Sequence, residues 1–177
     1  MRPLILLLPI VYFASALFAV RAEGPPEASA TEPIPPATSV VEARVRARLL
    51  HETVHGSLQV VHRDFFDDEK SHNIPSASFE DVFEELAANY DVGLKWLAVE
   101  TDVVNVDHKP ADEFEKAAVK ALKAGQPKHE AVETGRYRFA GPIRLASQCL
   151  KCHLKDRTST EDRTAGLLIS MPLKLKP

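Results

Sequence analysis

The sequence predicts a single α+β domain in which an antiparallel sheet carries helices on one side. Three observations support this class. A long stretch with helical spacing opens the domain, a run rich in β-branched and aromatic residues follows, and short strand-like segments fill the second half. The 177 residues are enough for one domain of ordinary size plus a targeting segment. Helices that precede several consecutive strands are typical of an antiparallel sheet with helices on one side.

The first predicted helix is long and runs from Val40 to about Asp67. It begins after Ser39, because "SVVE" places Glu42 three residues beyond a serine, which is the pattern of a capping box. Three histidines lie within the same arc of roughly 120° as the apolar stripe of this helix, although a buried face normally excludes imidazoles. The apolar stripe comprises Val54, Leu58, Val61 and Phe65, and the histidines are His51, His55 and His62.

The remaining elements are two helices and several short strands. A second helix is expected at roughly residues 79–89, capped by Ser76 or Ser78. A third helix opens after Pro110 and stops at Gly125. Residues 92–106 predict a strand or a strand pair because β-branched and aromatic residues dominate them. Further short strands are expected at residues 129–133, 136–140, 143–145 and 165–173.

The N-terminal segment predicts export. Residues 1–22 combine a positive start, an apolar run and an acceptable cleavage site, which is typical of a signal peptide; an uncleaved anchor is the alternative. Residues 23–38 are rich in proline and predict an extended, disordered linker, so the folded domain is expected at residues 39–177. We therefore expect a periplasmic or otherwise exported protein without stable membrane insertion after cleavage. The formal net charge of −3 argues against binding to nucleic acid.

The segment "CLKCH" at residues 149–153 uses both cysteines of the chain. Covalent haem attachment needs two thiols at this spacing and an adjacent imidazole for the iron, and C-x-x-C-H supplies all three. A zinc site would need two further ligands, and a redox disulfide would leave His153 without a role. In an oxidising compartment both thiols should also be covalently occupied. The sequence thus predicts one covalent haem c on Cys149 and Cys152, with His153 as the proximal iron ligand.

The other side of the iron is expected to face the first helix. His55 and His62 are the favoured sixth ligands, and they lie about 10 Å apart along a helix, so one iron can take only one of them. Water, Met171 and the other histidines remain alternatives. Arg138 and Arg144 flank the motif and are candidates for bidentate bonds to the haem propionates.

Three segments of the chain resemble a known family. "VNVDHKPADEFEKAAVKALKAG", "GRYRFAGPIRLASQCLKCH" and "AGLLISMPL" together are similar to a c-type-haem-binding, PAS-like family of unknown function, whose members are periplasmic single-domain proteins or sensor input domains of bacteria. The resemblance covers about residues 40–173 and implies a PAS-like sheet with a haem against it. Leu154 stands where many members have glycine, and the lack of a third cysteine excludes a thiolate sixth ligand. The most specific matches are Tyr137, Arg138, Ala140, Pro142, Cys149, Cys152 and His153.

These observations predict an exported mono-haem c-type cytochrome. We expect it to transfer electrons, or to signal redox state, through a six-coordinate haem and a redox partner protein. The alternative is a haem-based redox or gas sensor whose sixth ligand exchanges and which acts through a partner protein. No catalytic residues are predicted, so we do not expect an enzyme. Peroxidase-like activity would require an open iron with a histidine and an arginine beside it.

Overall fold

The computed structural model describes residues 33–65, 74–103, 105–147, 149–154, 156 and 158–176, with residue 152 described by its backbone alone. Within these ranges the architecture is α+β, as predicted. The helices are α1 (Val40–Asp64), α2 (Pro75–Tyr90), α3 (Glu113–Lys123), the single turn α4 (Leu150–His153) and a 3₁₀ turn (Val106–His108). The strands are β1 (Gly93–Leu97), β2 (His129–Glu133), β3 (Arg136–Leu145) and β4 (Arg163–Pro172). The predicted signal peptide and most of the predicted linker lie outside the described residues.

The four strands form one antiparallel sheet in the order β1-β4-β3-β2. β3 and β4 pair along their full length, from Arg136 opposite Pro172 to Leu145 opposite Arg163. β3 continues through Pro142, whereas the sequence predicted two separate strands there. β2 pairs with β3 only as far as Ala140, so no ladder bond on that side is lost at the proline, and a strand tolerates proline at such an edge.

Helices cover both faces of the sheet, so the predicted arrangement with helices on one side is wrong. α1 and α2 pack on the face that carries Tyr137, Phe139 and Ile143 of β3. α3 packs on the opposite face, where its apolar side chains meet Ala140 and Leu168. Successive side chains of a strand point to opposite faces, and the two central strands are apolar on both. A sheet of this composition needs cover on each side.

The ends of the helices follow local capping chemistry. The Ser39 hydroxyl accepts a hydrogen bond from the Glu42 amide, which confirms the predicted N-cap of α1. α2 instead begins directly at Pro75, since proline fits the first helical position, and the predicted serine caps are wrong. Residues 92–106 give one short strand followed by irregular backbone and the 3₁₀ turn, not a strand pair. Phe65 ends α1 with 76% of its surface exposed, so it does not extend the buried stripe.

The folded region begins earlier than the predicted boundary at residue 39. Ala37 is only 1% exposed and forms an isolated parallel bridge with Leu173. Its backbone amide donates to the Pro172 carbonyl at 3.2 Å, and its carbonyl accepts from Lys174 at 2.8 Å. These bonds tie the start of the domain to the end of β4.

A partly buried ion-pair network fixes α1 to the sheet. Arg44 of α1 donates to both carboxylate oxygens of Glu130 on β2, with the shortest contact at 2.6 Å. The ammonium group of Lys128 lies 2.7 Å from the same carboxylate, and the buried Tyr137 hydroxyl donates to it at 2.6 Å. The hydrogen bond from Arg44, aided by Lys128 and Tyr137 and opposed by burial, lowers the pKa of Glu130 from 4.5 to about 2. Glu130 is therefore ionised throughout the physiological range.

None of the helices in the described ranges combines the length and apolar composition needed to span a membrane.

Candidate functional site

The "CLKCH" segment forms one helical turn anchored in the core. The Cys149 amide donates to the Ala146 carbonyl at 2.8 Å, and the Leu154 amide donates to the Leu150 carbonyl at 3.1 Å. Leu150 is fully buried and Cys149 is 7% exposed, so both hold the turn against the sheet. The backbone of Cys152 lies within this turn, one residue before His153. The motif is thus presented by a short, fixed element.

A cleft opens beside this turn, between α1, the start of α2 and the sheet. It consists of two adjoining cavities with volumes of about 40 and 180 Å³, which share His153 and Leu58 among their lining residues. Most of the lining is apolar, and its largest side chain, Trp96, is held by a hydrogen bond to the Ser76 carbonyl and by ring contact with Phe83. The apolar walls are formed chiefly by Leu58, Ile74, Trp96, Ile143, Leu145 and Ala165.

Three histidines meet at the cleft. His62 of α1 lines the smaller cavity together with Cys149 and His153, and His108 of the 3₁₀ turn lines the larger one. Burial lowers the pKa of His153, and the nearby imidazoles of His108 and His62 lower it further. His153 is therefore neutral at physiological pH, which is the state in which an imidazole has a lone pair for a metal.

The loop after β1 closes the polar end of the cleft. The Asp102 amide donates to the His153 carbonyl at 3.0 Å, which ties this loop to α4. The Nε2 atom of His108 lies 2.7 Å from the Glu80 carboxylate, and the amide group of Asn105 is 3.4 Å from the same nitrogen. Carboxylates and amides thus cluster at one side of an otherwise apolar space.

The predicted site residues fall into two groups. Cys149, His153 and His62 come together at the cleft. His55 does not line either cavity; it lies one to two turns away on α1, against His51. Burial lowers the pKa of His55, and the charge of His51 lowers it further. Met171, an alternative ligand, is buried in the core of the sheet, and it is likewise absent from the lining formed by the described residues.

The two arginines predicted to contact haem propionates lie away from the cleft. Arg138 is on the α3 face of the sheet, where it pairs with Asp112 at 2.7 Å and lies over the Phe114 ring at 4.3 Å. Arg144 is on the same face and pairs with Asp162. Strand alternation explains this placement, since both residues point opposite to Ile143 and Leu145. The structure gives no support to the expected propionate contacts.

Sequence reasoning missed Glu80 and left His108 among the less favoured alternatives for the sixth ligand, although both line the cleft. Glu80 sits on α2 and reads as an ordinary surface carboxylate. His108 lies in a short 3₁₀ turn, where helical or strand periodicity does not mark it. A weak signal exists in "NVDH", where the Asn105 side chain accepts from the Asp107 amide at 3.0 Å and so begins the turn that presents His108.

Comparison with known proteins assigns the family. A family model described as Tll0287-like matches residues 37–167. The chain belongs to the Tll0287-like family. This finding confirms the family resemblance recognised in the sequence. The solved structure of the cyanobacterial heme-protein Tll0287 is similar to this chain with a TM-score of 0.54 and 12% identity, over 78% of this chain and 100% of that one. At this identity the likeness shows that the Tll0287-like fold is shared. No curated protein matches the chain.

Proposed function

We propose that this chain binds one haem c covalently in the cleft and serves as an exported electron-transfer or redox-signalling protein. The observation that carries the proposal is the C-x-x-C-H turn at the edge of an apolar cleft, with a second histidine from α1 lining the same cavity. Membership of the Tll0287-like family, which includes a protein described as a heme-protein, supports the same cofactor.

The residues of the cleft fit the chemistry of a haem. Cys149 and Cys152 would form the two thioether bonds, and His153 would coordinate the iron. The low pKa of His153 keeps its imidazole neutral, as coordination requires. The apolar walls suit the faces of a macrocycle and exclude water from its surroundings. When bound, a haem supplies reversible one-electron chemistry at its iron.

His62 is the residue that we propose as the sixth ligand. It projects from α1 into the smaller cavity, which His153 and Cys149 also line. The two imidazoles are close enough for the charge of one to lower the pKa of the other. Near His62, α1 is held against β3 by the buried Leu58 and by Gln59, whose side chain donates to the Arg144 carbonyl at 3.1 Å. Ligation of the iron by His153 and His62 would favour electron transfer, because neither ligand would have to move when the iron changes its oxidation state.

A second candidate function is a haem-based sensor whose sixth ligand exchanges. The observation that favours it is His108, which lies near enough to His153 to affect its pKa and also lines the cleft. Its bond to Glu80 gives this imidazole an alternative partner when it is not on a metal. A chain with two imidazoles available to one iron can change its ligand with redox state or with a bound gas, and a partner protein would then receive the signal.

The cofactor is tested by producing the full chain with its export signal in a host that matures c-type cytochromes. We expect one haem per chain that survives acid-acetone extraction and gives a c-type pyridine spectrum. Cys152→Ala should yield little haem-loaded protein, because one of the two thioether bonds is lost. Extractable haem, or stoichiometric zinc in its place, would contradict the proposal.

The sixth ligand is tested by comparing His62→Ala with His55→Ala in haem-loaded protein. The wild type should be low-spin in the ferric state and unreactive to carbon monoxide in the ferrous state. His62→Ala should become high-spin or bind carbon monoxide, whereas the matched change His55→Ala on the same helix should leave the spectrum unaltered. A response to His108→Ala, or a wild type that already binds carbon monoxide, would favour the sensor function over simple electron transfer.

A further inference from the structure

A second group of potential metal ligands lies on α1, before the turn that carries His62. His51, Glu52 and His55 each offer one ligand atom, and these three atoms lie within 4.8 Å of one another. The Nδ1 atom of His51 is 3.3 Å from the Glu52 carboxylate, and the centroids of the two imidazole rings are 5.8 Å apart. A nitrogen-oxygen donor set is thus already gathered on one side of the helix.

The sequence of this group, "HETVH", has the spacing that places two imidazoles over one ion. Residues four apart lie one above the other on a helix face, and the H-E-x-x-H pattern on a helix is a recurrent way to present two zinc ligands. The intervening Thr53 does not compete for these groups, because its hydroxyl donates to the Leu49 carbonyl at 2.8 Å. Val54 is buried and fixes this part of α1 on the sheet.

One imidazole of the pair is held rigidly while the other two side chains can adjust. The side chain of His51 is 5% exposed, and its ring packs against Gly141 of β3 so closely that a Cβ there would lie 2.4 Å from Nε2. The Glu52 side chain is 72% exposed and His55 is half-buried, so solvent reaches the group. A fixed inner ligand with two adjustable outer ligands is suited to capturing an ion from solution.

The two ring nitrogens of His51 lie in different surroundings. Among the side chains that the structure describes, the Nε2 atom of His51 is a fully buried polar atom without a hydrogen-bond partner. Because Nε2 faces Gly141 of β3, an ion has no room there, and Nδ1, which already lies 3.3 Å from the Glu52 carboxylate, is the atom of His51 that would bind it.

We propose that His51, Glu52 and His55 form a binding site for a divalent transition-metal ion, and we take Zn²⁺ as the ion. Two imidazoles and one carboxylate are donors that zinc accepts, whereas calcium and magnesium require oxygen ligands. Ligand bonds of about 2.0–2.2 Å need the three atoms to approach slightly, and the exposed Glu52 and half-buried His55 supply that movement. Three protein ligands leave the fourth tetrahedral position to water or an external ligand.

This site is separate from the cleft. His51 and His55 line neither cavity, and seven residues of helix place His55 about 10 Å from His62 along the axis. The two centres therefore do not compete for ligands, and a zinc ion at α1 leaves His62 and His153 in place. The carboxylate of Glu52 offsets part of the positive charge of the ion.

Calorimetric titration with zinc chloride tests the proposal on the full chain with both thiols blocked. The thiols are occupied as haem thioethers, or by iodoacetamide if the chain carries no haem, so that cysteine cannot bind the zinc. We expect one zinc ion per chain. His55→Ala should weaken binding by about 100-fold or more, since changes outside the ligand set alone cost about 10- to 100-fold. Glu52→Gln, at an exposed position that does not threaten folding, should weaken it by at least about 10-fold, because a neutral amide oxygen is a weaker zinc ligand than a carboxylate.

The matched control is His129→Gln, which removes a half-buried imidazole on β2 that packs against Phe114. Zinc binding should be unchanged in this variant, and X-ray absorption at the zinc edge of the wild type should show two imidazole ligands. A wild type that binds no zinc overturns the proposal. Zinc affinity that survives both His55→Ala and Glu52→Gln overturns it as well, because the ion would then be held elsewhere.

Discussion

The carboxylate of Glu130 is predicted to be the main electrostatic tie between α1 and the sheet, and Glu130→Gln removes its charge. A difference of one unit between the pKa of a group in the folded and in the unfolded chain changes the free energy of unfolding by about 1.4 kcal/mol. The fall of the Glu130 pKa from 4.5 to about 2 therefore sets an upper limit of about 3 kcal/mol on the contribution of this carboxylate to stability at neutral pH. The Glu130 side chain is 24% exposed and water screens part of the interaction. We therefore expect the variant to lose about 2 kcal/mol in its free energy of unfolding.

The effect of Glu130→Gln on stability should depend on pH. A carboxylate whose folded pKa is depressed adds stability above its unfolded pKa, and the contribution is lost as the pH falls through the folded value. The loss of stability caused by Glu130→Gln should be close to its full value at pH 7 and pH 5, less than half of it at about pH 3 and about a tenth of it near pH 2. Burial raises the pKa of Tyr137, so its hydroxyl stays a donor throughout this range.

Urea unfolding of the haem-loaded chain at each pH measures the difference. Comparing two proteins at the same pH cancels the titration of groups that both contain, including the histidines of the cleft. Glu113→Gln is the control, because its side chain is 90% exposed and its change should stay within about 0.5 kcal/mol. A loss below about 0.5 kcal/mol for Glu130→Gln, or a loss that does not shrink between pH 5 and pH 2, would refute the reasoning.

Two further predictions concern the packing of the sheet. Gly141→Ala should destabilise the protein by about 1–3 kcal/mol in thermal unfolding, because the new Cβ would clash with the His51 ring. The control is Gly93→Ala, whose new Cβ has no neighbour within 4 Å and should not destabilise the protein. Equal effects of the two changes would show that the clash with His51 does not matter. Arg138→Gln should lose about 1–3 kcal/mol, because Asp112 and the buried Glu115 each lose a cationic partner, although Glu115 keeps Lys95. The haem spectrum and reduction potential should stay unchanged. A shifted potential would instead restore the propionate contact expected from the sequence.

The parts of the fold that local chemistry determines could be predicted from the sequence. The capping pattern located the start of α1, and the short strands predicted at residues 129–133 and 165–173 are found at His129–Glu133 and Arg163–Pro172. The order of these elements gave the α+β class. The predicted cap of α2 at Ser76 or Ser78 was wrong, because Pro75 already occupies the first helical position and both serines lie inside the helix.

The parts that depend on neighbours across the sheet could not be predicted. "RYRFAGPIRL" alternates an aromatic or aliphatic side chain with a second set that is only partly apolar, so the pattern does not show whether the second face is buried or exposed. The structure buries both faces, because α3 covers the face of Arg138 with Phe114 and Ala118. His108 illustrates the same limit, because only the packing of the 3₁₀ turn against α2 brings it to the cleft.

The histidines of α1 show how far a helical pattern determines function. Angular periodicity correctly placed His51, His55 and His62 on the side of α1 that faces the protein, but it gives no weight to position along the axis. Position along the axis decides what each histidine contacts. His51 lies over Gly141, where the sheet has no side chain, while His62 lies beyond Leu58, where the cleft begins. Residues that share an angle thus meet different parts of β3, because the strand changes from glycine to Ile143 and Leu145 along its length. One stripe can therefore serve a zinc site at one end and an iron ligand at the other.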